Sequence, residues 1–475
     1  IALVYFLRKV VLMDNLNSKK LKTAVKYINS WLDVNFKNSP KFPGMQVAIL
    51  HQDKMVYSKA FGLSSLEKRT KMTTGDTFRI ASHSKTFTST AIMQLYEAEK
   101  LSLDDKVSKY LSWFKSNKDE RVSNITIRQL LNHTSGFARD GDNSDYWQLL
   151  CDFPDKDYLK NYVSTCELFY DSDERFKYSN FGYGYLGLLI ESVSGLSYHD
   201  YMTINIIEKL DLKSTQPDLI NGAANTLANG YDWGPFGKKQ KTYANADTHA
   251  LSPATGFCSN VEDLCRFFAA HFYGNNKLIN DCSKRIMQHG NWKTSHNDCY
   301  GLGMDDVEKS GWKLYGHGGS FCGFKTNTRF DPKKQLVVSV MFNTDSVDAR
   351  GICRGIIDMI DSFQQDDCCT TKELSKLKKF EGRFYSNEGR LVDIICVGGE
   401  LLAFDPLWWN NLNRAERLAV KNENTLVIKQ AGGYSSPGEE VCYSFDVAGK
   451  AEKIKYAGYT MVSKSMLSNG LIGKK

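Results

Sequence analysis

Apolar residues recur at helical spacing from about Leu16 to Val34, which predicts an amphipathic helix near the start of the chain. The pattern then changes. QVAILHQDKMVYSKAFG, Gln46 to Gly62, reads as two short strands around the polar pair Gln52 and Asp53, a hairpin. In RIASHSKTFTSTAIMQL, Arg79 to Leu95, residues Phe87, Ala91 and Leu95 fall four apart, a stripe expected to lie on a sheet. Far downstream, KTNTRF, the turn DPKK and QLVVSVMFN, Lys325 to Asn343, predict a second hairpin, followed by a helix from Arg350 to Phe363. The intervening chain, about Asp104 to Gly290, is mostly helical and loop-like. Strands at both ends of a helical middle predict one sheet assembled from distant segments, with a helical lobe over it. After the polar stretch QQDDCCTTK come the apolar runs LVDIICV, ELLAFD, TLVIK, VCYSFD and KIKYAGYTMV, separated by turn residues. They predict a small all-β domain over residues 372–475. The expected class is therefore α/β, an antiparallel sheet flanked by helices plus a helical lobe, with an all-β carboxyl-terminal domain.

Composition bounds this picture without redrawing it. A chain of 475 residues exceeds one ordinary core and implies two or three packed units. A formal charge of +7, with no dense Lys/Arg block, gives no footprint for a nucleic-acid partner. The twelve cysteines are scattered, and Cys368 adjoins Cys369, so reduced thiols are expected rather than a disulfide framework. No Cys/His cluster has zinc-site spacing and no His-Glu-x-x-His occurs, so neither metal nor cofactor is expected. The first twelve residues, IALVYFLRKVVL, are apolar but too short to span a bilayer, lack a small-residue cleavage site and precede Met13. They read as a leader or non-native extension outside a first domain of residues 13–366 and a cytoplasmic protein. A membrane anchor or a truncated secretion signal is the alternative.

The candidate chemistry begins with a question: why does an apolar helix open with Ser82-His83-Ser84-Lys85? Helix capping is one answer, since either serine suits an N-cap. Catalysis is another, since Ser82 and Lys85, three apart, share a helix face. Spacing alone does not decide, because Ser-x-x-Lys recurs at Ser65/Lys68, Ser112/Lys115, Ser310/Lys313 and Ser375/Lys378. A nucleophilic serine also needs a base, an oxyanion site and a group that orients the substrate. Tyr178-Ser179-Asn180 precedes an apolar, small-residue helix, and His317-Gly318-Gly319-Ser320 lies just ahead of the second hairpin. The two glycines there would let a strand backbone approach a substrate closely.

In this order the three motifs resemble those of the serine β-lactamase and penicillin-binding protein superfamily, in its class C β-lactamase-like branch. That branch also holds D-aminopeptidases, DD-carboxypeptidases and esterases. LLNHTSGF at Leu130 to Phe137 and SPATGFCSNVEDLCRF at Ser252 to Phe267 match as well, and the likeness runs from about Gly44 to Ser362. The resemblance implies a β-lactamase/transpeptidase-like fold, Ser82 as nucleophile, and Lys85 or Tyr178 as proton acceptor. It implies that Asn180 holds Lys85 and binds the substrate amide, and that the backbone N–H groups of Ser82 and Ser320 form the oxyanion hole. His317-Gly318-Gly319 stands where lactamases carry Lys-Thr/Ser-Gly. That replaces a flexible cation by a group only partly charged near neutrality and lacks the hydroxyl that grips a carboxylate. A neutral His317 and poor β-lactam turnover are expected. The all-β segment resembles the lipocalin-like domain appended to several such hydrolases.

The expected function is a serine hydrolase cleaving a small-molecule or peptide-like amide or ester. The α/β-hydrolase fold is set aside, because the chain has no Gly-x-Ser-x-Gly elbow. The competing reading is a non-enzymatic or slow-turnover binding or scaffold protein on the same fold.

Overall fold

The computed structural model describes residues 16–39, 42–219, 226–234, 240–241, 246–294, 298–309, 311–366, 368, 370–407, 412, 415–431 and 435–468. The apolar stretch 1–12 lies outside them. Among the described residues no helix is long and apolar enough to cross a membrane, and no disulfide joins two of the described cysteines. The described chain divides into two compact units, one running from Lys41 to Cys353, the other formed by Leu16–Pro40 and the residues from Arg354 onward.

The first unit is built on a nine-stranded antiparallel sheet. Its strands are β1 (Gly44–His51), β2 (Lys54–Ser65), β3 (Thr70–Lys71), β4 (Trp292–Lys293), β5 (Cys299–Tyr300), β6 (Asp305–Lys309), β7 (Trp312–Phe321), β8 (Phe324–Asp331) and β9 (Leu336–Phe342). Their order is β3-β2-β1-β9-β8-β7-β6-β5-β4. The two hairpins expected from the sequence are β1–β2 and β8–β9, and they meet where β1 pairs with β9, Met45 opposite Phe342 through His51 opposite Leu336. Both of these strands are buried at every position, as central strands covered on two faces must be. The β1–β2 turn needs a left-handed residue, and Gln52 supplies it at φ 59°.

The helical lobe centres on α2 (Ser84–Glu97) and α3 (Asn180–Ser194). The Phe87 position of the α2 stripe packs on two aromatic rings outside the main sheet. Phe87 stacks on Phe257 at 4.4 Å and on Phe267 of α4 (Val261–Ala269) at 3.7 Å between ring centroids. Every residue from Ser84 to Met93 is buried, so α2 is a central helix covered all round and its apolar stripe has no privileged direction. Gly187 lets α3 pass close to Pro253, whose Cγ would lie 2.2 Å from any Cβ placed there.

The second unit contains a closed antiparallel barrel of eight strands: β10 (Gly382–Tyr385), β11 (Leu391–Val397), β12 (Glu400–Phe404), β13 (Glu416–Asn422), β14 (Thr425–Gln430), β15 (Glu440–Phe445), β16 (Ala451–Tyr456) and β17 (Tyr459–Ser463). Closure comes from β10 against β17, Phe384 opposite Ser463. Two of these strands, β10 and β13, were not legible as apolar runs. β13 keeps only Leu418 buried, so its sequence lacks the inward alternation that reveals a strand. Side chains fill the interior, with Phe384, Ile394, Leu426, Ile428, Val441 and Ile454 fully buried, as an eight-stranded barrel can accommodate.

The helix α1 (Ser18–Lys37), capped by Asn17, belongs to this unit, together with the later part of α5 (Ala349–Gln364). Tyr27 of α1 packs between Phe363 and Phe404 and donates its phenol proton to Asp393 Oδ2 at 2.6 Å. Asp393 is buried and also accepts a two-pronged bond from Arg383, at 2.6 and 2.7 Å, while Arg383 donates to the Ser30 carbonyl of α1. Arg383→Ala is expected to destabilise the protein by about 3–5 kcal/mol, because it strands a buried carboxylate. Tyr27→Phe, removing one hydrogen bond to a charged acceptor, should cost about 1.5–3 kcal/mol. Thermal unfolding with hydrogen exchange of the barrel amides measures both; an Arg383→Ala protein as stable as the parent contradicts this account.

Candidate active site

Ser82 lies in a single 3-10 turn, Ala81–His83, that runs directly into α2. Ala81 carries a φ of +48°, a left-handed conformation costly for a residue with a side chain. The surroundings fix it. Ile80 donates its N–H to the Phe257 carbonyl at 2.9 Å, and Ser84 Oγ donates to the Ala81 carbonyl at 2.6 Å while accepting the Phe257 N–H at 3.1 Å. Neither serine caps the helix by its side chain; His83 occupies the N-cap position. Three residues before Ser82, Arg79 is fully buried in an ion pair with Asp218 at 2.6 Å and donates to the Gly256 carbonyl.

Lys85 is fully buried. Its Nζ lies 2.7 Å from Asn180 Oδ1, 2.8 Å from the Ala254 carbonyl and 3.3 Å from Ser82 Oγ. No carboxylate is among these partners, and burial holds its pKa well below the usual lysine value, opposed by nearby Asp140 and assisted by Arg139. Tyr178 donates to Ser82 Oγ at 2.8 Å. Burial raises its pKa above the ordinary phenol value, which favours the protonated form. The structure thus brings together Ser82, Lys85, Tyr178 and Asn180, contributed by two helix starts nearly a hundred residues apart.

Asn180 opens α3. Its N–H reaches the Arg139 carbonyl at 2.8 Å and its Nδ2 reaches Asp140 Oδ1 at 2.6 Å. With the amide nitrogen so committed, its oxygen is left facing Lys85. Ser179 caps the helix, accepting the Gly182 N–H at 3.0 Å, and its own N–H donates to His133 Nδ1 at 3.1 Å. The His133 ring lies 4.2 Å from that of Tyr178.

His317 makes no hydrogen bond to these four residues. It faces Tyr300, whose hydroxyl is 3.1 Å from Nε2, while Nδ1 lies 2.6 Å from the Gly318 carbonyl. A carbonyl only accepts, so Nδ1 carries the proton and Nε2 takes the Tyr300 hydrogen, the pattern of a neutral imidazole. Burial, moderated by Asp305, lowers the His317 pKa to about 4. Gly319 brings β7 against the loop ahead of Ser82: a Cβ there would sit 2.2 Å from the Ile80 carbonyl oxygen. A Cβ at Gly318 would sit 3.0 Å from Asn327 Nδ2, a tight approach to the end of a side chain, and Ser320, exposed near the strand end, accepts from Lys325 Nζ at 3.1 Å.

Sequence reasoning did not single out His133, Arg139, Asp140 or Tyr300. His133 lay in a stretch already noted, LLNHTSGF, but only its contact with Ser179 gives it a task. Nothing in the local pattern marks the adjacent pair Arg139 and Asp140. Among the described residues no three His, Cys, Asp or Glu side chains gather as metal ligands.

A family model described as Beta-lactamase matches residues 32–354. Protein flp of Staphylococcus aureus (strain MW2) is 28% identical over 316 residues, which cover 64% of this chain and 60% of that protein. The chain therefore spans about 60% of the length of that relative. Among solved structures, the octameric penicillin-binding protein homologue from Pyrococcus abyssi superposes with a TM-score of 0.62 at 21% identity, covering 92% of this chain and 100% of that one. A D-stereospecific amidohydrolase from Streptomyces sp. gives 0.57 at 22% identity over 69% of this chain and 95% of its own. At these identities the likeness is one of fold.

The environment of Lys85 has a thermodynamic signature. With a folded pKa below the unfolded value of about 10.4, the unfolded chain binds more protons between the two values, so this group's contribution to stability rises with pH across that window. The difference in unfolding free energy between the parent and Lys85→Met should therefore grow in the parent's favour as pH is raised toward about 10. Urea unfolding across that range measures it, and a difference independent of pH would mean Lys85 is not held neutral.

Proposed function

The chain belongs to the Beta-lactamase family, and on that premise we propose that it is a serine hydrolase cleaving a small amide or ester bond through an acyl-enzyme on Ser82. The observation that carries this reading is the set of three neighbours around Lys85 Nζ. A neutral amine has two N–H groups and one lone pair. Asn180 Oδ1 and the Ala254 carbonyl accept the two N–H groups, at 2.7 and 2.8 Å, and the lone pair is left for the third neighbour, the Ser82 hydroxyl. On this reading Lys85 is the base and Tyr178, kept protonated by burial, is the acid.

As the Ser82 oxygen bonds to the substrate carbonyl carbon, its proton passes to Lys85, and the carbonyl oxygen takes the negative charge. The backbone N–H groups of Ser82 and Ser320 are proposed to receive that charge, which the close approach of β7 to the Ser82 loop favours. When the carbon–nitrogen or carbon–oxygen bond breaks, the leaving atom takes the Tyr178 phenol proton; the Lys85 ammonium, whose charge over the ring at 4.7 Å stabilises the phenolate, then gives up its extra proton to the phenolate oxygen through the incoming water. Water then repeats the sequence: its proton goes to Lys85, its oxygen bonds to the acyl carbon, and Ser82 departs with the proton of Tyr178. Asn180 fixes Lys85 and borders the substrate amide, while Gly318 and Gly319 keep the strand open to it. His317 serves as a neutral group that orders Tyr300 and the strand, and the fold of an amidohydrolase neighbour supports the amide as a substrate bond. We also propose residues 13–366 as the hydrolase segment of the sequence and 372–475 as the appended barrel segment, with helix α1 and the chain from Arg354 onward clustering with the barrel unit.

A fluorophosphonate probe read by intact mass tests the assignment. Ser82→Ala should abolish labelling. Ser84→Ala should keep it and lose stability instead, since Ser84 bridges Ala81 and Phe257; the opposite outcome would identify the wrong serine. Lys85→Ala and Tyr178→Phe should each slow acylation by at least about a hundredfold, with a double variant far from additive. Because the His317 pKa lies at about 4, the imidazole stays neutral above a pH of about 5. The profile of kcat/KM should then show no step of its own near about 6.5, and His317→Lys should give no gain at higher pH. A step there that disappears in the lysine variant would make His317 a cation in the active form.

A further inference from the structure

The substrate class can be narrowed by a charge that the mechanism above does not use. Arg139 is held to the site by its main chain, whose carbonyl accepts the Asn180 N–H at 2.8 Å. Its guanidinium lies over the Tyr178 ring, 5.2 Å from the centroid. Only Nε is engaged, by Asp140 Oδ2 at 3.1 Å, and the side chain is 65% exposed. Among the described residues no hydrogen bond takes Nη1 or Nη2. A stacked guanidinium with one edge pinned presents the other as a planar fork, the geometry that receives a carboxylate in two parallel bonds.

The local charge is unbalanced in the same direction. Arg139 disfavours the protonated forms of Lys85, His133 and Lys177, and favours the phenolate of Tyr178. Lys177 adjoins Tyr178 in the chain, with its Nζ over Phe169 at 4.5 Å. Against these cations stand Asp140, one oxygen of which is already taken by Asn180, and Asp305, which is held by Arg329 at 2.6 Å. An ion pair as exposed as Arg139–Asp140 contributes little by itself, so the arginine does not earn its place as a brace. His317, neutral and bonded to Tyr300, offers no cation on the opposite strand.

The geometry points to Arg139 as the group that binds a carboxylate on the substrate, so that the proposed hydrolase acts by preference on amides or esters whose acyl or leaving portion bears a free acid. This inference rests on the hydrolase reading for its substrate bond, and on the Arg139 fork for its charge. The fixed charge of a guanidinium sets it apart from recognition by histidine, since the preference does not titrate away between about pH 6 and 9.

The test compares two esters of matched length, the mono-p-nitrophenyl ester of glutaric acid and the p-nitrophenyl ester of pentanoic acid, on the full chain. The parent should favour the glutarate ester. In Arg139→Gln the ratio of the two kcat/KM values should fall at least tenfold, with Arg139→Lys between the two because a point charge remains without the fork. A ratio unchanged in Arg139→Gln overturns the proposal, whether both rates fall together, as for an arginine that only tunes Tyr178, or neither falls. If neither ester turns over and the fluorophosphonate leaves Ser82 unlabelled, the hydrolase reading fails on its own. Calorimetric titration with glutarate then decides for Arg139: binding at least tenfold weaker in Arg139→Gln supports the fork, and equal binding or none in the parent overturns it.

Discussion

A lysine nitrogen buried without a carboxylate is the constraint around which the helical lobe is arranged. Taking an amine out of water costs heavily unless its hydrogens find acceptors, and a charged partner would restore the very charge that burial removes. Lys85 meets only neutral oxygens, and each arrives on a separate piece of chain: the turn before α2, the first residue of α3, and the segment around Ala254. The packing of α2 against α3 therefore has little freedom. Shifting α3 along its axis would withdraw Asn180 Oδ1, and loosening the Ala254 segment would leave a second N–H without a partner in a dry interior. The buried Arg79–Asp218 pair fixes the same segment from the other side, through the Gly256 carbonyl.

What could be read in the sequence was what chemistry or complete burial dictates. Ser82, Lys85, Tyr178 and Asn180 were legible because a hydroxyl, an amine, a phenol and an amide stand in an ordered set of motifs, and the structure brings those four side chains together. The hairpins β1–β2 and β8–β9 were legible because their apolar runs are uninterrupted. The left-handed Ala81 was not, since glycine is the residue that announces such a conformation and alanine does not. Nor were Tyr300 and Asp140, whose importance lies in partners seventeen and forty residues away, Nε2 of His317 and Nδ2 of Asn180. The strands β10 and β13 escaped because a barrel wall facing water needs apolar residues at few positions, and β13 retains one.

The paired glycines at 318 and 319 separate two kinds of requirement that look alike in a sequence. At Gly319 the neighbour is backbone, the Ile80 carbonyl, and no side chain fits unless the loop bearing Ser82 retreats. At Gly318 the neighbour is the end of the Asn327 side chain, which can turn aside. Packing thus demands the second glycine and only permits the first.

The second compact unit draws its material from both sides of the first. Helix α1 anchors to Asp393 and Arg383 of the barrel, yet the whole stretch from Lys41 to Cys353 intervenes before the residues from Arg354 onward complete that unit. On a ribosome adding about 5–20 residues each second, α1 emerges first and waits roughly tens of seconds for its partners. During that interval its Tyr27 face is an unpaired apolar surface on a nascent chain, a place where a chaperone can hold on. The sheet-bearing unit, made in between, has all nine strands of its sheet available before the barrel exists, so vectorial synthesis orders the two folding events.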